Sequence, residues 1–411
     1  MDGGIQRPAP GVAFLYALRL GCLSFGGPAG QIALVNRELV EERRWLDAAT
    51  FARALNLAMV LPGPEALQVV IYTGWRLFGA VGGIVAGLSF LVPGALLLMG
   101  LSYGYVRWGG LAPVASSLVG LKAVVMALVL LSIGQLAQRL LRSRVAWLIA
   151  AFSFGAVALA GWPIPATLVL GAITFAIGMP AERLTRPVAR REIRWRAMGA
   201  VMLVGFLLWL LTWVSVHLWA PHSRAEQLFL ALSRVALGGF GGAYSMVAWS
   251  GQLFVQHYGW LSSADLAAGI GLAESTPGPL LLVLQFYGFV SGWLAADIGS
   301  PLVTASICAL VASIASFLPS FVLVLAAAPA VDFLADEPRL KRCLQGVGAA
   351  VVGVIATFAL GLGRATLWSG GSINGPALVI ALGAASLLAT RRLGLPATLA
   401  LGVCAGWWFA P

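Results

Sequence analysis

Two carboxylates stand beside Pro-Gly-Pro in stretches otherwise apolar enough for lipid. Glu274 opens ESTPGPL, with LAAGIGLA before it and LLVLQFYGFV after it, and Glu65 follows Pro62-Gly63-Pro64 in LNLAMVLPGPEAL. An ionisable side chain inside a membrane segment is a candidate for ion or proton handling. Glu65 also stands where a carboxylate caps a restarted helix beside the positive end of its dipole. Glu274 precedes its break and has no such capping role, so proton coupling is the stronger reading there.

An interior proline removes a backbone donor and clashes with the preceding turn, at about 3 kcal/mol or more. In hydrocarbon the freed carbonyls need partners. The natural solution is two half-helices: the chain stops before Pro62 and before Pro277, then restarts with Pro64 and Pro279 in the first turn, where a missing N–H is harmless. Each restarted half-helix aims free N–H groups and a positive dipole end into the break. Gly63 and Gly278 sit inside the two breaks. Doubled glycines, Gly26-Gly27 after Phe25 and Gly241-Gly242 after Phe240, let backbone approach a ligand or crowd a neighbouring helix. Four such backbone-rich elements suit an anion. Ser275, Thr276, Gln68, Gln285, Asn36 and Asn56 offer neutral hydrogen bonds, the same chemistry that glues helices together. Arg19 and Arg234, a turn or two before each Phe-Gly-Gly, read either as forked donors to oxyanion oxygens or as side chains snorkelling to an interface. No metal-ligand spacing and no cofactor motif accompanies these residues. The cysteines Cys22, Cys308, Cys343 and Cys404 are scattered, and His217, His222 and His257 show no ligand pattern.

The elements that position these residues follow from composition. Of 411 residues 60% are hydrophobic and only 10% charged, against about 25% charged in soluble domains. Mean hydropathy is +0.92. This excludes a soluble globule and fits an all-α polytopic membrane protein. The net charge of +11 resides in loops between apolar runs, so positive-inside topology explains it and no nucleic-acid partner is expected. The first apolar run carries Arg19 in its interior, unlike a signal peptide, so insertion without cleavage is expected.

The chain is written twice. Phe25-Gly26-Gly27 recurs as Phe240-Gly241-Gly242, 215 residues later, and the same offset pairs Arg19 with Arg234, Trp45 with Trp260, Tyr72 with Tyr287, and the two Pro-Gly-Pro motifs. Pro93 in FLVP matches Pro319 in FLPS at an offset of 226, which places an insertion of about 11 residues near Asp297–Pro301. Apolar runs are expected near 12–34, 50–75, 80–105, 112–137, 145–161 and 163–179, then near 198–219, 227–254, 264–291, 301–328, 342–363, 374–390 and 394–410. That makes about 13 transmembrane helices, within a range of 10–14, those at Pro-Gly-Pro being broken. The expected organisation is a tail over 1–11, a first repeat over 12–180, a basic cytoplasmic linker over 181–197, a connecting helix and loop over 198–226, and a second repeat over 227–411. Arg139, Arg142 and Arg144, with the linker arginines Arg183, Arg186, Arg190, Arg191, Arg194 and Arg196, mark the cytoplasmic side. Arg339, Lys341, Arg342, Arg391 and Arg392 then fall inside as well, and the unpaired run 198–219 turns the second repeat over relative to the first. Inverted repeats with helices interrupted at matching positions point to a secondary transporter with its site near mid-membrane. The tryptophans Trp45, Trp195, Trp260, Trp368, Trp407 and Trp408 read as interface anchors, and Lys122 is left between lining a cavity and pairing with a carboxylate.

LSFGGPAGQIALVNRELVEERRW with LNLAMVLPGPEALQVVIYTGW, and GGFGGAYSMVAWSGQ with LAESTPGPLLLVLQFYGF, closely resemble the chromate ion transporter family in its long, two-domain form, over roughly residues 12–410. The resemblance implies a bacterial inner-membrane, multi-pass transporter that exports chromate, with sulfate as chemical analogue and competitor. Asn36 and Leu67 depart from the family pattern, which tends to a histidine and a second glutamine there, so that loop's role is open. Moving one charge through 100 mV is worth about 2.3 kcal/mol, so an inside-negative membrane favours outward movement of a dianion by about twice that. Export driven by the potential or by proton exchange is expected, with proton-coupled sulfate uptake as the alternative; a homodimer is compatible with either. An enzyme would call for a Ser/His pair, HExxH or clustered aspartates within spans, and direct ATP use for GxxxxGK[ST]; the sequence shows neither.

Overall fold

The computed structural model describes residues 8–178, 195–331, 338–369, 372–390 and 392–409. The start of the tail, the linker arginines Arg183 to Arg194, Arg391, and the side chains of Arg339 and Lys341 lie outside the described residues.

The first half runs α1 (Pro10–Leu23), α2 (Gly27–Asn36), a π-helical turn Arg37–Glu42, α3 (Ala48–Val60), α4 (Glu65–Trp108), α5 (Ala112–Leu140), α6 (Arg144–Ala160) and α7 (Ile164–Gly178). After α8 (Trp195–Trp219) the second half runs α9 (Arg224–Gly238), α10 (Ala243–Gly251), a π-helical turn Gln252–His257, α11 (Ser263–Ser275), α12 (Val283–Ala295), α13 (Pro301–Ala327), α14 (Pro338–Leu367), α15 (Gly375–Ala389) and α16 (Leu395–Phe409). Two-residue strands, Trp368–Ser369 and Ser372–Ile373, make a small hairpin between α14 and α15. The chain is otherwise helical among the described residues.

The 215-residue offset is kept to the residue. α3 ends at Val60 and α11 at Ser275, and the two π-helical turns start at Arg37 and Gln252. Positive φ recurs at Gly26 and Gly241, Gly27 and Gly242, Gly63 and Gly278, and Arg44 and Gly259. The offset grows where α4 has only a kink, at Phe78 (φ −136°) and Gly79 (φ +72°), whereas the second half has a loop after Ala296 that α13 follows.

The sequence suggests single apolar runs over 12–34 and 227–254. The structure corrects this: each is broken at its Phe-Gly-Gly, into α1 and α2 and into α9 and α10. The positive φ of the paired glycines takes the backbone out of the right-handed helical region, so the helix cannot pass through. At about 1.5 Å per residue, half-helices such as α2 (10 residues) and α10 (9 residues) are too short to cross hydrocarbon alone.

Among the described residues five helices are long and apolar enough to cross a membrane: α4, α5, α8, and most of the α13 and α14 regions. α8 carries the clearest physical argument. It is apolar all round, yet only Gly205 is buried, against Val322 of α13. A helix of that kind without a protein partner on most faces needs lipid.

The halves interlock. α6 and α7 pack on α14, α15 and α16 pack on α5, and α5 and α14 pack on each other, so each half covers the other's long helix with its final pair. Small residues bring these backbones close. A Cβ on Gly120 would collide with the Gly402 carbonyl, one on Gly346 with the Gly171 carbonyl, and one on Gly353 with that of Ala150. Trp195, Trp368, Trp407 and Trp408 are exposed, as anchors would be, but Trp45 and Trp260 are buried. Trp45 packs edge-on to Tyr16, and Trp260 stacks with Phe254 and Tyr258, so this matched pair belongs to the core.

Gly120→Val is expected to prevent docking of α16 on α5, abolishing the monodisperse peak in size-exclusion chromatography of the detergent-solubilised protein. Gly134→Ala, where a Cβ meets nothing within 4 Å, should be neutral or stabilising by about 0.5–1 kcal/mol.

Candidate functional site

Each Pro-Gly-Pro break has its backbone partnered from the opposite half. The Pro62 carbonyl accepts hydrogen bonds from Gln68 Nε2 at 2.8 Å and from Ser320 Oγ of α13 at 3.3 Å. In the second break the Gly278 N–H donates to the Ser24 carbonyl at 3.0 Å. Gln31 Nε2 of α2 donates both to that carbonyl, at 3.2 Å, and to the Gly278 carbonyl. Gly94 of α4 packs directly on the Pro277 carbonyl, leaving no room for a Cβ. Ser320 and Gly94 each follow an in-helix proline, Pro319 and Pro93. The proline-containing long helix of each half thus lies over the other half's break.

The Phe-Gly-Gly breaks meet the carboxylates, again across the halves. Gly27 begins α2, and a Cβ placed there would lie 3.2 Å from Glu274 Oε2 and 3.5 Å from Oε1. Gly242 caps α10, and a Cβ there would strike Glu65 Oε1. Glu274 and Glu65 are not sequence equivalents, yet each occupies the same station, against the amino end of the other half's glycine-initiated helix. Such an end carries about half a positive charge. Tyr244, in the first turn of α10, donates from its hydroxyl to Glu274 Oε1 at 3.0 Å, and Ser132 of α5 lies 3.4 Å from the same hydroxyl. Tyr244 is also within electrostatic reach of Glu65. Glu274 is 3% exposed, and Oε2 of both carboxylates is buried without a hydrogen-bond partner. Among the described residues no ion pair reaches either carboxylate. The positive potential at this centre therefore comes from backbone.

The remaining candidates divide. Gly26, Gly27, Gly63, Gly241, Gly242 and Gly278, with Pro62, Pro64, Pro277 and Pro279, form the breaks themselves. Gln285 donates to the Ala95 carbonyl at 2.9 Å, while Ser275 and Thr276 bond back to the Leu272 and Ala273 carbonyls. Ser275 and Thr276, like Gln68, spend their donors on backbone at the breaks, whereas Gln285 ties the second half to α4. Arg19 and Arg234 lie on exposed faces of α1 and α9, and no hydrogen bond or ion pair joins either to the carboxylates. Arg19 rests 5.8 Å from the Tyr16 ring centroid. Asn36 bonds Glu41 in the π-helical turn, and Lys122 feels the charge of Asp265, which accepts from Tyr105 at 2.7 Å.

Sequence reasoning missed Tyr244, Gln31, Ser24, Ser320 and Gly94. Tyr244 aligns with Ala29, so the repeat gave no signal for it. Ser320 and Gly94 were accessible, being the small residues that follow the matched prolines.

Gly242 has φ +90° and ψ −177°, a region essentially restricted to glycine, where another residue costs about 1–3 kcal/mol. Gly242→Ala should lower the melting temperature and evict Glu65. Combined with Glu65→Ala the steric share disappears, and a thermal-melt double-mutant cycle should show a coupling of about 0.5–3 kcal/mol. Additive effects would mean the two residues do not touch.

A family model described as chromate transporter matches residues 12–179 and 226–407. The chain is 29% identical over 413 residues to a chromate transport protein of Pseudomonas aeruginosa, covering 97% of this chain and 92% of that one. It is 28% identical over 356 residues to a probable chromate transport protein of Synechococcus elongatus, covering 86% and 84%. It is 26% identical over 411 residues to a chromate transport protein of Cupriavidus metallidurans, covering 94% and 90%. No solved structure matches. With the family model spanning both halves, this multi-pass helical chain belongs to the chromate transporter family.

Proposed function

We propose that this protein is a secondary active transporter of a tetrahedral oxyanion, and that its principal flux is chromate leaving the cytoplasm across the bacterial inner membrane. The observation that carries the reading is the crossed meeting of helix ends and carboxylates: Glu274 at Gly27, Glu65 at Gly242, with Tyr244 between them. Helix amino ends that point into a buried break bind anions through backbone N–H groups and dipole. The halves, built from the same succession of elements, are read as inverted repeats around this centre, which is where secondary transporters bind. A total of about thirteen spans, and repeats bounded at 12–180 and 227–411, are part of the same reading.

Chromate is a dianion near neutral pH, so the inside-negative potential drives it outward by about 4.6 kcal/mol per 100 mV. Proton exchange through Glu274 and Glu65 is a second contribution, favoured by the burial of both carboxylates in the centre itself. The relatives' names support chromate as cargo; sulfate, with the same shape and charge, is the expected competitor, and its proton-coupled uptake the alternative.

Purified protein in liposomes, given an imposed potential, should move chromate toward the positive compartment, with sulfate competing. Flux of sulfate toward the negative compartment only with a proton gradient would favour uptake instead, and no oxyanion flux would overturn the reading. Pro277→Ala should abolish flux with expression retained. Arg19→Lys and Arg234→Lys should weaken export if these exposed guanidinium groups grip oxygens along the route; unchanged chromate resistance in cells would remove them from it.

A further inference from the structure

We infer that Glu274 and Glu65 are tethered anions holding the two half-helix ends, so that an oxyanion binds by displacing them. The inference rests on the oxyanion-transport reading and adds how the site is occupied before cargo arrives.

Glu274 reaches from the end of α11 to the first residue of α2 in the other half. Its Oε1 accepts the Tyr244 hydroxyl, while its buried Oε2 has no partner and faces the helix end. A buried carboxylate oxygen left unbonded is destabilising, and with no ion pair in reach the amino end of α2 is what favours its presence. The second end repeats the arrangement with Glu65 against Gly242. The offset of 215 sets Glu274 against Met59 and Glu65 against Leu280. The two carboxylates therefore reach equivalent stations from non-equivalent positions, as expected if the requirement is for a negative group at each end.

A carboxylate, like one edge of a tetrahedral oxyanion, presents two neighbouring oxygens sharing about one negative charge, and the same helix end accepts either. Both cannot stay. A dianion set beside two ionised carboxylates in a poorly hydrated centre meets like charge at short range, which the half-charges of two helix ends do not offset. Cargo binding is therefore an exchange of anions. Tyr244 ties the two exchanges together, because it stands on the helix whose end Glu65 holds and bonds the carboxylate that holds the other end.

The test is equilibrium binding of radiolabelled chromate to the purified full-length protein in nanodiscs, for wild type, Glu274→Gln, Glu65→Gln and Glu274→Asp. Glutamine keeps an acceptor for Tyr244 and removes the competing charge. The expected result is at least tenfold tighter binding for each glutamine variant. Glu274→Asp, a shorter and withdrawn carboxylate, should fall between wild type and Glu274→Gln. Binding by folded glutamine variants equal to or weaker than wild type overturns the inference while leaving oxyanion transport standing. If Glu274→Gln does not fold, Glu65→Gln and Glu274→Asp decide the question by the same comparison with wild type. No chromate binding by any protein, wild type included, removes the transport reading and this inference with it.

Discussion

A helix that ends inside hydrocarbon leaves backbone N–H and carbonyl groups without water, and each needs a partner from the protein. This chain creates four such breaks, at two Phe-Gly-Gly and two Pro-Gly-Pro motifs. Each break takes at least one contact from the opposite half: Ser320 on the Pro62 carbonyl, the Ser24 carbonyl on the Gly278 N–H, Glu274 at Gly27 and Glu65 at Gly242. No half is complete by itself. The interlocking of the final helix pairs with the other half's long helix follows from the same need, since the breaks stay aligned only if the halves cannot drift apart.

The division of labour at the centre is between scaffolding donors and unspent charge. Gln68, Ser275 and Thr276 satisfy backbone at the proline breaks, and Gln285 ties α12 to the α4 backbone. What remains unspent is the positive potential of two short helices and the two carboxylates that face it. A site of this composition has little sequence-specific chemistry. On the proposed reading it would respond to charge, size and the ability to accept several N–H donors, which a small oxyanion offers.

Much of this was legible in the sequence because rare tokens repeat at one offset. Glycines and prolines fix backbone geometry, so Gly63 and Gly278 or Gly27 and Gly242 announce the same local structure wherever they recur. Helix breaks at Pro-Gly-Pro were therefore readable in advance, along with the likeness of the halves. The breaks at Phe-Gly-Gly were readable in principle, and Pro28 even follows the first of them, but the surrounding apolar run masks them. The crossed pairing was not readable. Glu274 and Glu65 occupy non-equivalent positions, and Tyr244 has no counterpart, so only the three-dimensional meeting of the halves reveals their common station. Arg19 and Arg234 show the converse: a matched pair in sequence that stands on exposed faces, with no ion pair to the carboxylates.

The crossing itself is open to direct observation. A cryo-electron microscopy map of the protein in lipid nanodiscs, at a resolution that shows carboxylate density, should place Glu274 against the amino end of the helix begun by Gly27 and Glu65 against the one begun by Ala243. Density that keeps each glutamate within its own half, or that turns either toward lipid, would contradict the account.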